Sequence, residues 1–160
     1  LGKEISRLGY GGMRFPKNGD EVDMDAAVQL LRKAYEMGIN YFDTANMYTD
    51  SEEKLGEALH DVRQNVVIST KSGGGDKKTV QAHIEQSLRS LRTDYIDLFQ
   101  FHNPAVLPDI HDPDGPFAAA LEAAYIDLNR RLREREIGRT KSRFCLLTEN
   151  SLNKHIQHTL

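Results

Sequence analysis

Asp43, Tyr48, Lys71 and His102 each stand at or just past the end of a short apolar run. A carboxylate, a phenol, an amine and an imidazole together make a proton-transfer set. A tyrosine ionises near pH ~10 and is a poor acid at neutral pH unless its conjugate base is stabilised. An ammonium beside the phenol does this, and a carboxylate beside the ammonium keeps it charged and oriented. An imidazole N–H can orient an oxygen of a bound molecule. Taken singly, each residue has a duller reading. Asp43 could cap the next helix, Tyr48 could be a packing residue, Lys71 a solvated amine and His102 a hydrogen-bonding partner. Their common placement favours chemistry, because barrels of alternating strands and helices build their active sites at the carboxyl ends of the strands.

The elements that must carry these groups can be read in order. Residues 6–13 form a first strand, with Gly11 and Gly12 permitting close backbone approach at its end. Asp23 caps a helix over residues 24–37. Its Ala27, Leu30, Leu31, Ala34 and Met37 keep the helical period, and Gly38 stops it. Residues 39–45 make a second strand. Ser51 caps a second helix with Leu55, Ala58 and Leu59 on one face. The β-branched run 66–70 is a third strand, followed by the glycine loop 72–76. A third helix over 77–91 turns Val80, Ile84, Leu88 and Leu91 inward, and residues 95–101 form a fourth strand.

Pro116 suits the first turn of a long fourth helix that reaches about residue 136. Leu121, Tyr125, Leu128 and Leu132 form a heptad-like seam along it, which either covers the strands or mediates self-association. Beyond Gly138 a fifth strand is expected over 143–148 and a short helix, capped by Ser151, to His158. The repeated switch of period with short connections predicts an α/β fold of parallel strands and right-handed crossovers.

A chain of 160 residues can bury a real core, whereas a complete eight-unit barrel takes about 250 residues. The expectation is a partial, half TIM-type (β/α) barrel over residues 1–138 with a divergent segment at 139–160. A net charge of −3 without a basic tract argues against nucleic-acid binding. Cys145 is the only cysteine, which rules out an internal disulfide and suits a reducing cytoplasm, the expected location. No apolar run approaches membrane-spanning length, and the first residues do not read as a signal peptide. The chain starts at Leu1 rather than methionine, which leaves room for residues before it. His102, His111 and Asp112 lack metal-ligand spacing, and His155 and His158 read as a solvated face. No metal is expected. Cys145 reads as buried, and residues 73–75 as a mobile loop rather than a phosphate cradle.

Phe42-Asp43-Thr44-Ala45, Tyr48, Ser69-Thr70-Lys71 and Leu98-Phe99-Gln100-Phe101-His102, together with Gly9 to Arg14, closely resemble the aldo-keto reductase superfamily. The likeness runs from about Ile5 to Leu121, and as an ordered set the motifs are specific. It implies reduction of small aldehydes or ketones by a hydride from a nicotinamide and a proton for the nascent alkoxide. Tyr48 would give the proton, Lys71 and Asp43 would tune it, and His102 would orient the carbonyl. The implied cofactor is NADPH, with NADH the other candidate. Its implied contacts are Gly12, Met13, Asp43, Thr148 and Asn150, and Glu149 departs from the family pattern.

In that family the C-terminal half of a closed barrel supplies most of the cofactor contacts. The chain therefore reads as a truncated reductase; a catalytically silent oligomeric or nucleotide-binding remnant is the second reading. A half-barrel exposes strand edges and an apolar face. A homo-oligomer through those surfaces and the fourth helix is the expected solution.

Overall fold

The computed structural model describes residues 4–19 and 21–136. The strand expected at 143–148, the helix after Ser151, and Thr148, Asn150 and Cys145 lie outside the described residues.

Short strands alternate with helices. They are β1 (Tyr10–Gly11), β2 (Lys17–Asn18), β3 (Glu21–Val22), α1 (Met24–Glu36), β4 (Tyr41–Asp43), α2 (Ser51–Leu59), β5 (Val67–Ser72), α3 (Lys77–Ser90), β6 (Leu98–Phe101) and α4 (Pro116–Glu136), with a 3-10 turn at His60–Asn65. β1, β4, β5 and β6 form one sheet in that order, and every pair in it is parallel. Strand order thus follows chain order, the arrangement of a partial α/β barrel. No described helix is long and apolar enough to cross a membrane.

The helix signals work as elementary chemistry dictates. Asp23 accepts the Ala26 N–H at 2.9 Å to open α1, and Gly38 leaves it at φ +92. Asp76 opens α3 the same way, accepting the Thr79 N–H at 3.0 Å. The core lies between sheet and helices in two clusters. Leu31, Phe42, Leu55, Leu59, Ile68 and Leu91 pack under α1 and α2, while Val80, Ile84, Ile96 and Ala119 pack under α3 and α4.

Several elements differ from the sequence reading, each for a local reason. The first strand is only Tyr10–Gly11, because side chains take the bonds where a longer ladder would run: the Asn40 amide oxygen accepts the Ser6 N–H at 2.8 Å, and the Ser6 hydroxyl accepts the Asn40 N–H at 3.1 Å. The β2–β3 hairpin was not expected from pattern; its signal is Asn18-Gly19, with Gly19 at φ +67 in the turn. The fourth strand begins at Leu98 rather than Tyr95. Its lead-in is held by side chains, since the Asp97 carboxylate accepts the Ile68 N–H at 3.0 Å and Arg63 donates to the Tyr95 carbonyl at 3.0 Å.

Ser51 does not cap α2. The cap position is Asp50, in the left-handed region at φ 56, and no side chain caps the helix. On α4 the buried positions among the described side chains are Ala119, Ala120 and Asp127, while Leu121 is half-buried and Tyr125 is 67% exposed. Of the seam, Tyr125 therefore does not cover the strands, and the side chains of Leu128 and Leu132 lie outside the described residues.

At the amino-terminal pole of the sheet, Arg63 and Asp97 form a buried ion pair at 2.6 Å. Arg63 also lies 3.9 Å from the centre of the Tyr95 ring. Another tight contact joins α2 to the end of α3. A Cβ on Gly56 would collide with the Ser90 carbonyl and stand 2.9 Å from the Leu91 carbonyl carbon. Alanine gains about 1 kcal/mol of helix propensity over glycine, but overpacking a rigid contact costs about 1–3 kcal/mol. Gly56→Ala is therefore expected to lower the urea midpoint without changing the slope of the unfolding curve. A raised midpoint would show that the two helices can part freely.

Candidate active site

The parallel register brings the strand ends level. Gly11 pairs with Asp43, Asp43 with Ser69, and Lys71 with Gln100. Side chains alternate between the faces of a strand, so β5 sends Ser69 and Lys71 to one face and Thr70 and Ser72 to the other. On the first face the Lys71 ammonium meets the Asp43 carboxylate at 2.5 Å and donates to the Thr44 carbonyl at 2.6 Å. These side chains are 15% and 34% exposed, so the ion pair is shielded from water yet open to a ligand. Gln100 donates to the Ser69 hydroxyl at 2.6 Å beside it.

Tyr48 enters from the loop after β4. That loop is tied down by main-chain bonds from Thr44 N–H to the Ser69 carbonyl, 2.8 Å, and from Asn46 N–H to the Lys71 carbonyl, 2.9 Å. The Lys71 nitrogen lies 5.6 Å from the centre of the Tyr48 ring, within cation–π reach. His102 follows β6, its N–H held by the Ser72 carbonyl at 2.8 Å. Its ring meets that of Tyr48 edge-on, with centroids 5.4 Å apart. The His102 Nδ1 atom is buried with no hydrogen-bond partner among the described residues. All four residues named from sequence thus gather at one spot.

The proposed cofactor contacts divide. Met13 is 61% exposed just past β1. Gly12 is buried, and a Cβ there would meet the Ser51 hydroxyl at 2.7 Å and the Asp43 carbonyl at 3.2 Å. Its lack of a side chain therefore serves close packing of the β1 loop against β4 and α2. Among the described residues no cluster of three potential metal ligands exists.

Sequence reasoning missed a polar layer on the opposite face of the sheet. Ser51 donates to the Gly12 carbonyl at 2.6 Å and shares a 2.6 Å hydrogen bond with the Thr44 hydroxyl. Thr70 donates to the Glu52 carboxyl at 2.5 Å, and Ser72 bonds the His83 ring at 2.7 Å. Glu52 is 4% exposed. Burial pushes its pKa above the ordinary carboxylate value, although hydrogen bonds from Thr70, Ser87 and Asn46 and the nearby His83 pull the other way. The available signal was Glu52 standing three residues before Leu55, on the inward face of α2.

Comparison with known proteins agrees with this arrangement. The aldo/keto reductase family model matches residues 7–126. The chain is 31% identical over 123 residues to the uncharacterized oxidoreductase YqkF of Bacillus subtilis, covering 68% of this chain and 39% of that protein. It is 34% identical over 117 residues to a voltage-gated potassium channel subunit beta, named as probable, of Oryza sativa subsp. japonica, covering 64% of this chain and 35% of that one. Among solved structures, an aldo-keto reductase of Klebsiella pneumoniae in complex with NADPH superposes with a TM-score of 0.61 at 27% identity, covering 79% of this chain and 42% of that one. The chain therefore spans about two fifths or less of the length of these three relatives. With the family model matched across three quarters of its residues and the motif residues gathered at one sheet edge, the chain belongs to the aldo/keto reductase family.

Proposed function

We propose that this chain carries the proton-transfer part of an NADPH-dependent aldo-keto reductase site that reduces small aldehydes and ketones. The observation that supports this reading is the Lys71 ammonium, bound to Asp43 at 2.5 Å and lying under the Tyr48 ring, with His102 edge-on to the same ring. The residues present suit a nicotinamide and a carbonyl. The Asp43–Lys71 pair is half-shielded, and His102 holds a buried ring nitrogen without a partner among the described residues. NADPH, when bound, supplies the hydride. Gly12, Met13 and Asp43 would hold its nicotinamide end, with Thr148 and Asn150 as further contacts.

The protein groups do the rest. His102 orients the carbonyl oxygen, and Tyr48 gives its hydroxyl proton to that oxygen as the carbon receives the hydride. The product is an alcohol, and the phenolate left on Tyr48 is stabilised by the Lys71 cation. Asp43 and the Thr44 carbonyl hold that cation in place. NADH is the alternative donor.

The test is consumption of NADPH by the purified chain in the presence of a reactive aldehyde, followed by absorbance, alongside titration of NADPH fluorescence. Turnover supports the reductase reading, and its absence overturns it. A second reading is a catalytically silent module that assembles or binds nucleotide. The likeness to a channel beta subunit favours it, as do Tyr125 and Ile126, each 67% exposed on α4. Saturable NADPH binding or concentration-dependent mass in scattering-detected gel filtration, without turnover, would select it.

A further inference from the structure

We propose that Glu52 is a positioning residue for Lys71 and Tyr48, acting from the helix side of the sheet. The proposal rests on the proton-transfer reading of those two residues and names what holds them in register. Glu52 lies on α2, away from the face that carries the Asp43–Lys71 pair, so it does not touch a substrate there.

Its contacts run to both arms of the site. Thr70, which precedes Lys71 on β5, donates to the Glu52 carboxyl at 2.5 Å. Asn46, two residues before Tyr48, stands close enough to the same carboxyl to draw its pKa down. The Asn46 main-chain N–H in turn donates to the Lys71 carbonyl at 2.9 Å. One buried carboxyl thus ties β5 at Thr70, next to Lys71, and borders the Asn46 loop that is bonded to Lys71 and carries Tyr48. Ser87, on α3, also borders Glu52, and its hydroxyl accepts from the Asn46 side-chain amide at 3.5 Å. That contact ties the loop to a second helix.

The reason a carboxyl stands here is positional. Alternation along β5 turns Thr70 and Ser72 toward the helices whenever Lys71 faces the site. Their hydroxyls are buried and need partners. Ser72 finds His83 at 2.7 Å and accepts the Gly74 N–H at 3.0 Å. Thr70 finds Glu52. An aliphatic side chain at position 52 would fill the space, but it would leave the Thr70 hydroxyl without its acceptor and the Asn46 loop with only its longer side-chain contacts of 3.5 Å. A small shift of a proton donor from its productive position costs heavily in rate. Glutamine is the discriminating replacement, because it keeps the acceptor oxygen and the size while removing the ionisable proton.

The experiment compares the whole chain with Glu52→Ala, Glu52→Gln and Thr70→Val by amide hydrogen exchange and by aldehyde reduction. Glu52→Ala is expected to speed exchange at the Asn46 and Tyr48 amides about tenfold or more while leaving the Ile68 amide, held by Asp97 near the start of β5, unchanged. It is also expected to lower kcat about tenfold with the KM for NADPH unchanged. The kinetic isotope effect with deuterated NADPH should rise, because chemistry and not product release then limits the rate. Glu52→Gln should restore both readouts, and Thr70→Val should reproduce the alanine result. The Glu52→Ala/Thr70→Val double variant should be no worse than either single one, since both act on one network.

Unchanged exchange at Asn46 and Tyr48 would overturn the proposal. So would equal acceleration at Ile68, which signals general loosening, or a Glu52→Gln variant as loose as Glu52→Ala. If the chain shows no turnover at all, the reductase reading fails while the exchange data still decide what Glu52 holds.

Discussion

Tyr48→Phe is expected to lower kcat for aldehyde reduction by roughly 10²–10⁴-fold, the range typical of a lost general acid. The substitution removes one oxygen and keeps the ring. The edge-on contact with His102 at 5.4 Å and the Lys71 ammonium 5.6 Å from the ring centre can both persist. Tyr48 also holds the loop by its main chain, with its N–H on the Ala45 carbonyl and its carbonyl accepting the Ser51 N–H. Neither bond needs the hydroxyl. The thermal midpoint and the NADPH fluorescence titration should therefore match the unaltered chain while turnover falls. Turnover that survives Tyr48→Phe unchanged would show that the proton comes from elsewhere, and the assignment of this cluster would be wrong.

The largest stability effect is expected at the opposite pole. Arg63 and Asp97 are paired at 2.6 Å with side chains 8% and 0% exposed. Arg63→Ala would leave the Asp97 carboxylate buried without its counter-charge, a change that costs about 3–5 kcal/mol in comparable sites. It would also strip donors from the Tyr95 and Val66 carbonyls. Denaturant unfolding should show a much lower midpoint. Removing both charges should cost far less, provided that the Ile68 N–H keeps an acceptor. Arg63→Met with Asp97→Asn meets that condition and should recover much of the loss. If the double variant is no more stable than Arg63→Ala, packing around the guanidinium matters more than charge.

The sequence revealed the parts of the molecule governed by local rules. α1 was clear from Asp23, Gly38 and the apolar period and α3 from its apolar period, and the parallel strand order followed from their alternation with the strands. Asp43, Tyr48, Lys71 and His102 were visible because strand ends place chemistry at a common edge. What stayed hidden depends on partners distant in sequence. Ser51 looks like a helix cap, but its hydroxyl is drawn 39 residues away to the Gly12 carbonyl. Residues 95–97 look like strand, yet Asp97 and Arg63 take over the hydrogen bonds there. Glu52 went unnamed because its partner Thr70 lies 18 residues away on β5.

Strand order that follows chain order has a kinetic consequence. The Asp43–Lys71 pair closes a span of only 28 residues, and the Ser69–Gln100 bond one of 31. Short closures cost little loop entropy and form early. The acid–amine pair can therefore assemble during synthesis once β4, α2 and β5 have left the ribosome, before α4 exists to dock. A ribosome stalled far enough past residue 76 for β5 to clear the exit tunnel, yet before α4 has emerged, should already carry a nascent chain in which Lys71 resists chemical modification.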